Sequence, residues 1–127
     1  MSNQKISQYK NVLLKFLEEI EGQFPEEGEL VLIKFCLQKL PASIPFNMFN
    51  SLIHKNNGKI KRMIKERDSE FFFQCSPLGF YGKNKMKYFY DVWKSDKIDD
   101  ETRSIIWDWM DSLVDIIDKY NYEKVYL

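Results

Sequence analysis

From Ile6 to Ile20 the apolar residues fall at 6, 9, 13, 16, 17 and 20, one stripe of a 3.6-residue helix. Lys10, Lys15, Glu18 and Glu19 lie outside that stripe, and Gly22 and Pro25 end the helix. A second helix is predicted from about Glu27 to Leu40, where Leu30, Val31, Ile33, Phe35, Cys36, Leu37 and Leu40 are nearly continuous. Apolar residues on most sides imply burial among several neighbours, which puts this helix at the centre. A strand over Leu30-Val31-Leu32-Ile33 is the alternative, without an evident partner strand.

Pro41 and Pro45 bracket a short connection, with Ser43 as cap of a third helix and Pro45 near its first turn. Phe46, Phe49, Leu52 and Ile53 give that helix its buried face, and Asn56-Asn57-Gly58 breaks it. A short basic helix follows from about Lys59 to Glu66, with Ile60, Met63 and Ile64 at helical spacing. Between Asp68 and Asn84 the pattern is irregular; Phe71-Phe72-Phe73 fits a helical turn or a short extended piece, and Pro77, Gly79 and Gly82 oppose regular structure.

Lys85 to Lys94 reads as a fifth helix with Met86, Phe89, Tyr90 and Trp93 on one face. The last helix opens on Asp99-Asp100-Glu101, negative charge where first-turn amides are unpaired, and is lined by Ile106, Trp109, Met110, Leu113, Ile117 and Tyr120. The pattern therefore predicts an all-α fold over residues 1–127, a single irregular bundle of five to six helices built around the second and last.

Composition supports a packed core. The chain has 127 residues, 44% hydrophobic and 16% aromatic, with 19 basic against 19 acidic side chains. Disorder calls for few aromatics and a large net charge, and the chain has neither. Apolar runs are too short to span a bilayer, so no membrane partner is expected. Met1-Ser2-Asn3-Gln4-Lys5 leads into an amphipathic pattern without an apolar signal region. Cys36 and Cys75 sit in apolar settings and read as two buried free thiols of a reducing compartment, with a disulfide as the alternative.

Candidate chemistry is sparse. The lone histidine, His54, lies near the end of the third helix, where the dipole favours its charged form, a structural role. Asp108, Asp111, Asp115 and Asp118 recur at spacings of three and four, a carboxylate row suited to a hard cation or to plain solvation. No EF-hand loop, CxxC, HExxH or glycine-rich phosphate loop occurs, so no catalytic residue, metal or cofactor is assigned and an enzyme is not expected.

Charge is segregated. Residues 55–87 carry nine bases against three acids, net +6, while residues 88–127 carry five bases against ten acids, net −5. Three readings follow: internal pairing of the two regions, a surface for another protein or a second copy, or a nucleic-acid contact. In the last, Lys55, Lys59, Lys61, Arg62, Lys65 and Arg67 would meet phosphates, and Tyr81, Tyr88 and Tyr90 near Lys83, Lys85 and Lys87 would stack on bases. Trp107 lies off the apolar stripe, towards Arg103 and Val114. It either packs beneath the irregular 68–84 segment or stands exposed as a protein-interface anchor.

Two stretches carry a resemblance: Ile64-Lys65-Glu66-Arg67-Asp68-Ser69-Glu70-Phe71-Phe72, and Trp93-Lys94-Ser95 through Asp99 and Ile106-Trp107-Asp108-Trp109 to Asp118-Lys119-Tyr120. The first is similar to an I-x-x-R-D-E-x-F-F element, with a serine here before the glutamate. Over residues of about 60–120 the chain resembles small uncharacterised proteins of nucleocytoplasmic large DNA viruses, of the marseillevirus and phycodnavirus type. The resemblance implies viral origin and an intracellular place, in host cytoplasm, nucleus or virion, and carries no functional residue. Physically, Arg67-Asp68 suits capping and pairing at a helix junction, and Trp93 to Tyr120 describes an αα-hairpin with facing aromatics. The expectation is a non-enzymatic interaction or structural protein, with a nucleic-acid-binding module as the alternative.

Overall fold

A computed structural model describes residues 2–23, 28–71, 91, 93–96 and 98–126. Among these the chain forms five α-helices and no strand. They are α1 (Ser2–Gln23), α2 (Gly28–Lys39), α3 (Ser43–His54), α4 (Lys59–Lys65) and α5 (Asp100–Tyr126), with a 3-10 turn, Lys55–Asn57, between α3 and α4. The fold is all-α, and Leu30 to Ile33 is helical rather than extended. Of the expected helix at 85–94, Asp91 and Trp93 are helical and Lys94 is in a turn, while the rest lies outside the described residues. So do Phe72, Phe73, Cys75, Pro77, Gly79, Tyr81, Gly82, Lys83, Lys85, Lys87, Tyr88 and Tyr90.

The helices α1 and α5 are long, about 33 and 40 Å at 1.5 Å per residue, and share the most extensive interface. Tyr9, Leu13, Phe16, Leu17 and Ile20 bury the α1 stripe, each worth about 1.5–3 kcal/mol of burial. On α5 the buried face is wider than one stripe, taking in Trp107, Val114 and Ile116 beside Ile106, Met110, Leu113 and Ile117. The width has a cause: α5 packs against α1 and against α4, so two neighbours need apolar cover. Trp109 is half-buried against Phe16, ring centres 6.2 Å apart.

The bundle is thus built around the first and last helices, not the second and last. Helix α2 is peripheral: among its described side chains Leu30, Ile33 and Leu37 alone are buried. It is tied to α1 by Lys10, whose Nζ donates to the Gln38 and Leu40 carbonyls at 3.2 and 2.6 Å, and by Lys34 to Glu21 at 3.0 Å. A cation on the last carbonyls of a helix satisfies acceptors that have no intrahelical partner.

Helix α3 buries Pro45, Phe46, Phe49 and Ile53. Phe46 sits between Tyr9 and Tyr120, with ring centres at 5.5 and 4.7 Å. Ser43 is the first helical residue rather than the cap; Ala42 takes the cap position without a side-chain hydrogen bond. The proline explains the tolerance, because a first-turn residue needs no N–H. Asn57 and Gly58 then adopt left-handed φ of 57° and 77°. A Cβ on Gly58 would meet nothing closer than 3.9 Å, so backbone conformation rather than space favours glycine there. At the start of α5 the Thr102 amide donates to Asp99 Oδ1 at 2.8 Å.

Candidate functional site

Helix α4 sorts its residues cleanly: Ile60, Met63 and Ile64 are buried, while Lys59, Lys61, Arg62 and Lys65 face outwards. It ends in a Schellman turn, in which the Asp68 amide donates to the Met63 carbonyl at 2.8 Å and the Arg67 amide to Ile64 at 3.1 Å. Arg67 occupies the left-handed position of that turn, φ 57°, where glycine is the usual residue. Its side chain accounts for the choice. Nη1 and Nη2 form a bidentate pair with Asp111 at 2.8 and 2.7 Å, Nη1 also donates to the Ile64 carbonyl, and the guanidinium lies over the Trp107 ring. The hydrogen bond to Asp111 raises the Arg67 pKa further above its ordinary value.

Lys61 reaches across the same seam to Asp118 at 2.8 Å, and Lys119 pairs with Asp115 along α5 at 2.9 Å. Asp108 lies 3.9 Å from Arg67. An open groove of about 440 Å³ runs between α4 and α5, lined by Lys61, Lys65, Arg67, Asp111, Asp115 and Asp118 with Ile64 and Val114. The carboxylate row is therefore matched by cations, and among the described residues no three His, Cys, Asp or Glu gather to hold a metal ion.

The six bases proposed for phosphate divide into two groups. Lys61 and Arg67 are taken up by carboxylates. Lys55, Lys59, Arg62 and Lys65 are exposed and have no carboxylate partner among the described residues, with Arg62 donating to the Asn57 carbonyl. His54 is exposed, and its Nδ1 lies 2.7 Å from the Asn50 carbonyl one turn back, to which it donates.

Trp107 is 6% exposed, which removes it as an exposed interface anchor. It meets Trp93 edge-on at 5.5 Å and Phe71 at 6.2 Å, with Arg67 above. Trp93 donates from Nε1 to Ser69 at 2.9 Å, and Arg103 holds the turn by donating to the Trp93 and Ser95 carbonyls. Trp107 is therefore buried among Arg67, Phe71 and Trp93.

The feature that sequence reasoning missed lies on α2. Val31, Leu32 and Phe35 are 56%, 61% and 55% exposed on the side opposite Leu30, Ile33 and Leu37. Cys36, expected to be buried, is exposed beside them, since it falls on the turn of the helix facing away from α1. The Lys39 ammonium lies 5.2 Å from the Phe35 ring centre. The all-round apolar pattern was the signal, but it was compatible with a central helix. Among the described residues no helix is long and apolar enough to cross a membrane. Comparison with family models, curated proteins and solved structures finds no match.

Proposed function

We propose that this chain is a non-enzymatic interaction protein whose binding surface is the outward face of α2. One observation carries the reading: three large apolar side chains stand more than half exposed on a helix whose other side is already packed. Single exposed apolar residues are ordinary, whereas a contiguous set on one helix face marks a contact surface. In the α4–α5 groove Lys61 pairs with Asp118 and Arg67 with Asp111, which suits a structural seam better than acid–base work. An exposed thiol at Cys36 suits a reducing, intracellular setting, as does the viral origin that the resemblance implies.

The test separates binding from folding. Val31→Gln, Leu32→Gln and Phe35→Gln together should leave thermal stability unchanged or raised, while the proteins retained by the wild-type chain from its own cell are lost. A triple variant that retains the same proteins would refute the reading.

A second reading, nucleic-acid binding, draws on the four exposed bases without carboxylate partners, Lys55, Lys59, Arg62 and Lys65. It predicts low-salt retention on nucleic acid that falls steeply with salt and is abolished by Lys59→Glu with Arg62→Glu. Retention unchanged in that variant removes it.

A further inference from the structure

We infer that the seam between α4 and α5, where it runs out towards the end of α5, takes single-stranded nucleic acid. Bases stack on Tyr122 and Tyr126, and phosphates lie along Lys55, Lys59, Arg62 and Lys65. The inference rests on the nucleic-acid reading above, names the form of nucleic acid, and involves none of the α2 face.

Register lays out the strip. Arg67 pairs with Asp111 and Lys61 with Asp118, so α4 and α5 run antiparallel. Going back along α4 towards Lys59 therefore means going forward along α5, where Tyr122 and Tyr126 follow Asp118 at intervals of four on one side of the helix. Lys55 belongs to the turn that leads into that end of α4. An open hollow of about 430 Å³, lined by Asp118, Lys119, Tyr122 and Glu123, adjoins the groove between the helices at Asp118, which lines both.

The two tyrosines are placed for stacking rather than for the core. They are 60% and 70% exposed, and their ring centres lie 4.8 Å apart at a tilt of 38°, already one step of a stack. A nucleobase adds a further planar face, and aromatic rings accept it whichever base it is. In a duplex those faces are covered by neighbouring base pairs, so an unpaired strand is the form that offers them.

Charge supplies the other half. Asp111, Asp115, Asp118 and Glu123 meet Arg67, Lys119, Lys61 and Lys5, so each of these α5 acids has a cation beside it. Lys55, Lys59, Arg62 and Lys65 stay exposed without a carboxylate partner among the described residues, with Glu66 as the exposed acid beside them. Four cations against one acid suit a phosphate backbone.

Fluorescence anisotropy of a labelled oligothymidylate of about 12 nucleotides, titrated with the full chain at low salt, tests this. The single strand should bind at least about tenfold more tightly than a duplex of equal length. Tyr122→Ala with Tyr126→Ala should weaken single-strand binding at least about tenfold, with the salt slope and the helical circular-dichroism spectrum unchanged. Tyr122→Phe with Tyr126→Phe keeps both rings and should bind like the wild type. A duplex held as tightly as the single strand, or an alanine variant of undiminished affinity, overturns the inference while sparing the nucleic-acid reading, whose own test is Lys59→Glu with Arg62→Glu. A phenylalanine variant as weak as the alanine one also overturns it, since stacking would then not be the interaction. Polyglutamate held as tightly as oligothymidylate would mean that the strip reads charge alone, and overturns it too. No binding of either single strand or duplex overturns both readings together.

Discussion

Helices α2 and α4 are both short, and each presses one apolar side against longer neighbours; their outer sides are finished in opposite ways. Outside α4 stand Lys59, Lys61, Arg62 and Lys65, two turns of charge above Ile60, Met63 and Ile64. Outside α2 stand Val31, Leu32 and Phe35 above Leu30, Ile33 and Leu37. Water solvates the first surface well. It orders against the second at a cost of about 25 cal/mol per Å², a cost removed when something covers it. The outer face of α4 is finished by charge, whereas the outer face of α2 leaves three large apolar side chains exposed.

The largest expected effect divides α2 down its middle. Leu37→Ala, on the packed side, should destabilise by about 2–5 kcal/mol in chemical denaturation of dilute protein. Leu32→Ala on the bare side should stay within about 0.5 kcal/mol. Equal losses at the two positions would mean that both sides of α2 are core, and the contrast with α4 would collapse.

Next comes the junction that ends α4. Arg67→Ala loses the Asp111 pair, the cover over Trp107 and the bond to the Ile64 carbonyl, and should cost about 1–2 kcal/mol, since an exposed pair alone contributes at most about 1. Arg67→Gly loses the same contacts but relieves the left-handed backbone, so it should be milder than Arg67→Ala by about 1 kcal/mol. Equal costs would show that the φ of 57° stores no strain.

The start of α5 adds a pH dependence. Hydrogen bonds from the Thr102 hydroxyl and amide hold the Asp99 carboxyl below its usual range. Its folded pKa is thus lower than its unfolded value of about 3.9. The stability it contributes is complete above that value and is lost as pH falls through the depressed folded pKa. Asp99→Asn keeps a capping oxygen but cannot titrate, so its melting temperature should fall less steeply than the wild type's below about pH 4. Parallel profiles would remove Asp99 from the acid response.

The smallest change is expected at Lys61. Its pair with Asp118 is half exposed on both sides, so Lys61→Ala should shift stability by less than about 1 kcal/mol, and salt should shrink even that. A large loss would make the α4–α5 seam an energetic element of the fold rather than a finished surface.

Much of the architecture was legible along the chain. The α1 stripe, the break at Asn57-Gly58, the apolar triplet of α4 and the acidic opening of α5 are local: each follows from side-chain spacing or from backbone preference within a few residues. Arg67-Asp68 as a capping and pairing junction was readable on the same grounds. Where distant elements meet was not. Whether Trp107 faces solvent depended on Arg67 and Phe71 arriving from one distant stretch and Trp93 from another, and no spacing within α5 encodes that arrival.

Sequence by itself determined which stretches coil and which side of most helices turns inwards, because both depend on neighbours a few residues away. Tertiary structure decided that α1 rather than α2 lies against α5, that the basic segment is partly neutralised by Asp111 and Asp118, and that one apolar face of α2 is left uncovered. The reason is physical: an apolar residue records a preference to leave water, not which surface receives it. A helix apolar all round has that preference twice, and among the described residues only one side of α2 is covered.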